Sequence, residues 1–226
     1  MCFNVSLHAS TSEIESHFKK MVKVIYSHSS KYFVNGFSFP KLGIITNEHP
    51  NLLQGYNWGL IPKWAKDEVS AKELRKMTLN AVSETVFTKP SFRDSIISKR
   101  CLIPVTGFFE WQHIGSKKIP FFIHLKRDNI FCLAGIWSEW ANKITGEIIP
   151  TFSILTTTAN PLLAEIHNTK KRMPLIMPKE QQWEWLSNDL RKDDIIELMK
   201  PYPETEIEAY TIKSETIRQS KFPENS

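Results

Sequence analysis

Four polar sites in this chain stand where packing alone does not call for them, and each carries the chemistry of nucleophilic attack or proton transfer. Cys2 directly follows Met1, so removal of the initiator methionine leaves an α-amine and a thiol on adjacent carbons. Such a pair is a bifunctional nucleophile; the competing reading is a small hydrophobe opening a strand with Phe3, Val5 and Leu7. Glu110 lies in Gly107-Phe108-Phe109-Glu110-Trp111. If it is buried, desolvation by the aromatics raises its pKa toward the range useful for general acid–base work. On the outer face of an edge strand it is an ordinary solvated carboxylate. His167 follows the apolar Leu162-Leu163-Ala164-Glu165-Ile166, where an imidazole serves either as a proton shuttle or as a charge partner for a helix end. Asn80, in Thr78-Leu79-Asn80-Ala81 ahead of a helical segment, reads by itself as a helix cap, and Glu84 as a solvated helix charge.

Two further segments have the chemistry of binding. Lys170-Lys171-Arg172 is the densest basic run in the chain, suited to phosphate contacts or to a solvated loop. Trp58-Gly59-Leu60-Ile61-Pro62 starts a turn with an indole, which either belongs to the core or stacks on bases.

The elements that must position these residues are legible in outline. Alternating Val5 and Leu7 predict a first strand. A Ser12/Glu15 capping box then leads a helix bearing Ile14, Phe18, Met21, Val22 and Ile25. Residues 29–57, with their glycines and prolines, read as strand and loop, and 66–76 and 90–99 as helical. The β-rich runs 101–105, 119–125, 130–137 and 148–157 are expected to form the centre of a sheet. Asn160-Pro161 predicts the cap and first turn of a short helix through Ile166. Helices at 179–187 and 193–200 and a last strand at 207–213 follow. The expected fold is a single α+β domain over 1–213, a curved, largely antiparallel sheet or open barrel flanked by helices, with a polar tail at 214–226.

Composition narrows the function classes. The 226 residues are 41% hydrophobic and 23% charged, enough apolar material for a core and too little charge for a disordered chain. The 29 basic and 24 acidic residues leave a net charge of +5, a mild surplus that favours a polyanionic partner. Three cysteines, at 2, 101 and 132, lack disulfide or metal-ligand arithmetic, which points to a reducing compartment and no metal. No apolar stretch long enough to span a membrane and no secretion signal is expected, which predicts a cytoplasmic protein.

Taken in order, Met1-Cys2, Trp58-Gly59-Leu60-Ile61-Pro62, Asn80-Ala81 with Glu84-Thr85, Arg100-Cys101-Leu102-Ile103-Pro104, Gly107-Phe108-Phe109-Glu110-Trp111, Thr156-Thr157, His167 and Arg172-Met173-Pro174 resemble the SOS response-associated peptidase (SRAP) family of abasic site processing proteins. The resemblance implies that the mature N-terminal Cys2 traps the sugar aldehyde of an abasic site in single-stranded DNA as a thiazolidine, shielding the site. It implies a catalytic set of Cys2, Asn80, Glu110 and His167. Glu110 carries the proton for imine formation, His167 opens the sugar ring and supports reversal, and Asn80 holds the adduct. It implies DNA contacts from Trp58, Gly59, Pro62 and Arg172. It further implies a monomer without cofactor that binds single-stranded DNA and single-strand–duplex junctions, is nucleoid-associated when bound, and has weak lyase and autoproteolytic activity.

The chain departs from the family pattern in three places. Phe3-Asn4 stands for the usual Gly-Arg, Val82 for an arginine, and four residues separate His167 from Arg172 where one is usual, with Lys170 and Lys171 in the insertion as substitute cations. Two alternatives are carried. One is a cysteine peptidase acting in trans with a Cys2–His167–Asn80 arrangement. The other is a non-catalytic DNA-binding module whose salt-sensitive binding ignores Cys2.

Overall fold

The computed structural model describes residues 2–213 together with 215 and 217. The tail expected at 214–226 lies outside the described residues apart from those two, as does Met1.

Five strands close into a barrel in the ring order Leu52–Trp58, Lys41–Thr46, Arg100–Val105, Phe131–Ala141, Ile148–Thr158. Every junction is antiparallel except the last, where Thr151 and Phe152 pair in parallel with Asn57 and Trp58. The α+β expectation therefore holds, but the barrel is closed, and closure removes the unpaired edges of an open sheet. Arg100–Val105 is buried along its whole length, with Leu102 in one apolar cluster and Cys101, Ile103 and Val105 in another, so both faces of the strand carry core. Cys132, like Cys101, is fully buried.

A second, antiparallel sheet runs Ile207–Thr211, Lys117–Leu125, Gly107–Ile114, Asn4–Leu7, Lys31–Asn35. It takes up the run expected at 119–125, which was assigned to the centre of the first sheet. A hairpin turn through Gly115, at φ +58°, instead pairs that run with the Glu110 strand. Gly107 is required where the two strands meet, because a Cβ there would sit 2.3 Å from the Phe122 ring.

Three local expectations are corrected by backbone chemistry. The first helix spans Thr11–His17 and is capped by Ser10 with Glu13, not by Ser12 with Glu15. Glu15 accepts from the Val24 amide instead. Lys19 and Lys20 adopt positive φ and end the helix, which leaves Met21 and Ile25 half-exposed beyond it. Asn80 opens the strand Asn80–Val82, laid parallel to Ile154–Thr156, so it is not a helix cap.

Arg100 ties the barrel to the C-terminal helices. Its guanidinium is fully buried and donates to the carbonyls of Ile96, Ile97, Trp185 and Ser187. Arg100→Met leaves these acceptors in an apolar setting and is expected to destabilise the fold by about 3–5 kcal/mol, measured by urea unfolding. A loss under 1 kcal/mol would show that water replaces the guanidinium.

Candidate active site

Cys2 sits at the head of the strand Asn4–Leu7, whose Val5 and Ser6 pair with Phe108 and Gly107 on the strand that carries Glu110. This pairing lays the start of the chain beside Glu110, close enough for the carboxyl's charge to act on the thiol. Cys2 is fully buried in an apolar cluster that also holds Leu79, which precedes Asn80, Phe108, two residues before Glu110, and Ile166, which precedes His167. The segments that carry Asn80, Glu110 and His167 thus each contribute to the cluster that buries Cys2.

A cleft of about 460 Å³ opens there, lined by Phe3, Glu110, Trp111, His167 and Lys170. A larger hollow of about 620 Å³, beside His8 and Thr106 at the far end of the first strand, contains none of the predicted residues. The smaller cleft is the better candidate because it holds Glu110 and His167, two of the residues expected to carry proton transfer, side by side with the basic Lys170.

Glu110 is only 5% exposed, and burial among aromatics pushes its carboxyl up to about 7. Near neutral pH it can therefore hold a proton or release one. Burial lowers the His167 imidazole, which favours its neutral form. The His167 Nδ1 lies 2.8 Å from the Arg172 carbonyl oxygen and 3.2 Å from the Arg172 amide nitrogen. The carbonyl contact calls for a proton on Nδ1 and the amide contact for a lone pair there; the shorter of the two, to the carbonyl, favours the Nδ1–H tautomer, with the lone pair on Nε2. Burial, reinforced by Glu110, pushes the Cys2 thiol up, so it rests as a thiol. Asn80 is 7% exposed, and neither end of its amide has a hydrogen-bond partner among the described residues. A buried amide left so is unfavourable until another group reaches it.

The binding residues are placed less as expected. Trp58 is fully buried, stacked on Phe152 at 6.0 Å, and donates from Nε1 to the Leu79 carbonyl at 2.8 Å. The structure corrects the expectation that this indole meets DNA: it is a strut under the strand of Asn80. Gly59, at φ +100°, and Pro62 are also buried, because the chain turns inward after Trp58. The exposed indole of this segment is Trp64, 51% accessible between Lys63 and Lys66, and the sequence reading missed it although those flanking cations signal a surface. Trp58→Phe keeps the packing but loses the Leu79 bond, with an expected cost of about 1–2 kcal/mol in urea unfolding and no direct change in oligonucleotide affinity. A drop in affinity without a loss of stability would restore a contact role for Trp58.

Lys170 lines the cleft, and Lys171 is exposed at φ 49°. Arg172 is not open to solvent: its guanidinium makes a two-pronged pair with Glu84 and its side chain is 15% exposed. This corrects the reading of Arg172 as an available phosphate contact and of Glu84 as a mere solvated charge. The insertion is anchored by Asn168, which both accepts from and donates to the backbone of His113. Sequence reading also missed His113 and Lys118, which join Lys170 in lining the cleft. It missed the 54%-exposed Phe37 too, whose ring packs 4.8 Å from that of Phe3. Among the described residues no group of three His, Cys, Asp or Glu side chains could hold a metal, and no helix is long and apolar enough to cross a membrane.

Fold and cleft together define an α+β barrel protein whose second residue, a cysteine, is packed beside a buried carboxyl, which in turn shares a cleft with an imidazole. The family model for SOS response associated peptidase (SRAP) matches residues 1–218, and the chain belongs to that family. It is 41% identical over 175 residues to abasic site processing protein YoqW of Bacillus subtilis, covering 76% of this chain and 75% of that one. It is 30% identical over 155 residues to abasic site processing protein HMCES of Gallus gallus, covering 60% of this chain and 45% of the relative. The crystal structure of a Bacteroides thetaiotaomicron protein superposes with a TM-score of 0.92 at 42% identity, over 96% of this chain and 94% of the other.

Proposed function

We propose that this protein, once its initiator methionine is removed, captures the ring-opened aldehyde of an abasic site in single-stranded DNA as a thiazolidine on Cys2. The observation that carries the reading is the packing of Cys2 beside Glu110, a carboxyl held near neutrality that lines one cleft together with Phe3 and His167. The neutral amine attacks C1′ and gives a carbinolamine. The protonated Glu110 donates to its hydroxyl, which leaves as water, and an iminium remains. The thiol sulfur then adds to the same carbon while Glu110 takes back the thiol proton. One water is released and nothing is oxidised. The five-membered ring consists of the amine nitrogen, two cysteine carbons, sulfur and C1′, so an internal cysteine could not close it.

His167 moves the proton between the sugar ring oxygen and the hydroxyl at C1′, since its Nε2 lone pair is a base at neutral pH. The Asn80 amide, which has no hydrogen-bond partner among the described residues, holds the adduct. Lys170, with Lys118 and His113 around the cleft, supplies the flanking phosphate contacts, and Lys171 adds charge beside them. The iminium also allows β-elimination, which gives a weak lyase activity, and release of the residue ahead of Cys2 accounts for a peptidase activity confined to the chain itself. A peptidase acting in trans through Cys2 finds no support in a thiol pushed up by burial, because such enzymes depress the thiol's pKa. The test is covalent capture of a single-stranded oligonucleotide bearing one abasic site, read on a denaturing gel. No covalent band from protein of verified N-terminal Cys2 overturns the reading.

A further inference from the structure

Glu84 is the hub of a polar network that the proposed chemistry does not use. Its Oε1 accepts from Arg172 Nη1 at 2.5 Å and from Thr158 Oγ1 at 3.1 Å, and its Oε2 accepts from Arg172 Nη2 at 2.7 Å and from Ser83 Oγ at 3.0 Å. Arg172 Nη2 also donates to the Thr156 carbonyl at 2.7 Å, so the guanidinium is fixed at once to the strand Ile148–Thr158 and to the turn that follows Val82. A bidentate pair of this kind, its arginine side chain 15% and its glutamate side chain 48% exposed, fixes direction as well as distance.

The backbone of Arg172 faces the other way. Its carbonyl, 2.8 Å from His167 Nδ1, favours a proton on that nitrogen, against the Arg172 amide N–H, which lies 3.2 Å from the same nitrogen. The segment between these two residues is tied by Asn168 to the His113 backbone and by Lys171, at positive φ, to His167 at 2.8 Å and Ala159 at 3.0 Å, and it joins the barrel at Arg172, which opens the short strand Arg172–Pro174 beside Thr156–Thr158. Glu84 is the side-chain tie at that junction. With valine at position 82, no arginine on the neighbouring strand competes for Glu84.

We propose that Glu84 is a positioning residue: through its two-pronged pair with Arg172 it holds the Arg172 carbonyl against His167 Nδ1 and so presents Nε2 to the cleft as the proton-transferring nitrogen. Arg172 is on this view a strut of the proton-transfer machinery and not a contact to DNA. The proposal rests on the reading of His167 as a proton carrier, and its experiment separates the two.

The imidazole ¹⁵N shifts of His167, assigned with a His167→Gln variant, report the tautomer without any reaction. In the parent protein Nδ1 is expected to be the protonated nitrogen. In Glu84→Gln the population moves toward the Nε2-protonated form, and Arg172→Lys, which keeps the charge but loses the fork, moves it less. The other charged and titratable groups around the ring, Lys170, His113 and Glu110, are untouched by either change. Release of DNA from a preformed crosslink is expected to slow roughly tenfold in Glu84→Gln, part of the 10²- to 10⁴-fold that a general acid–base contributes. Affinity for an unmodified oligonucleotide stays within about twofold. An unchanged tautomer in either folded variant overturns the proposal. So does a Glu84→Gln protein that binds the oligonucleotide far more tightly at unchanged tautomer, since Glu84 would then only be masking Arg172. A shifted tautomer with unchanged release supports the positioning role and overturns the reading of His167 as proton carrier.

Discussion

Cys2→Ala is expected to abolish covalent capture of abasic single-stranded DNA, a loss of at least a hundredfold that reaches the background of a denaturing gel. The alanine retains the α-amine, so the variant still forms a reversible imine, which borohydride reduction traps. What it lacks is the sulfur that closes the ring. A complementary protein with one residue retained ahead of Cys2 has the sulfur and an α-amine one residue away from it, so no five-membered ring can close, and it is expected to give no covalent band without borohydride. Intact mass of each protein verifies its N-terminus. The pair separates this chemistry from simple binding, because salt-dependent affinity for the oligonucleotide should be nearly unchanged in both. Capture by the extended protein at the parent's rate would place the nucleophile elsewhere, since an amide nitrogen cannot form the ring. The fully buried position of Cys2 makes alanine a smaller but tolerable replacement in the same cluster.

Glu110→Gln is expected to slow capture by about 10²- to 10⁴-fold and to change the shape of the pH profile. In the parent, two ionisations oppose each other. The α-amine must be neutral, which rising pH favours through about 8. Glu110 must hold a proton to expel water, and rising pH removes that proton through about 7. The parent profile is therefore a bell with its maximum between the two, whereas glutamine cannot ionise and its profile only rises. Stability moves the other way. A carboxyl raised from its ordinary value of 4.5 to about 7 stabilises the fold fully below 4.5, and that contribution is lost as pH rises through 7. At pH 8 the buried carboxylate is ionised at a cost on the order of 3 kcal/mol, which glutamine avoids. Glu110→Gln should be the more stable protein at pH 8 in urea unfolding and the poorer catalyst at every pH. A variant that loses both would indicate that Glu110 holds the strand pairing together and that its slow capture is a folding defect.

How much of this was legible in the sequence varies with how local the determining physics is. The short helix after Asn160 was, because the cap and the proline at the first helical position act within three residues: Asn160 Oδ1 accepts from the Leu163 amide at 2.8 Å. The first helix was legible in place but not in its cap, since two serines lie at capping-box spacing from two glutamates and only the extended backbone at Ser10 selects one. Asn80 looked like a cap for the same local reason. Its strand exists because a distant strand, Ile148–Thr158, offers a parallel ladder, and no signal near residue 80 records that. The run at 119–125 reads as a strand, but its place in the second sheet is not legible, because β-propensity reports a fit to a pleated surface without saying which surface.

The residue types, their order and the place of Cys2 directly after the initiator are covalent facts. They bounded the chemistry: an amine beside a thiol, a carboxyl among aromatics, an imidazole behind a short helix. Tertiary structure decided which of these meet and in what state. Burial raises Glu110 and lowers His167, because desolvation penalises charge and depends on every neighbour packed around the group. Burial likewise turned Trp58 from a candidate DNA contact into an internal strut, and an ion pair across 88 residues of chain withdrew Arg172 from solvent and joined it to Glu84. Exposure and charge pairing are properties of the closed barrel and the sheet beside it, set by contacts between residues remote in sequence, and so they are decided only when the chain has folded.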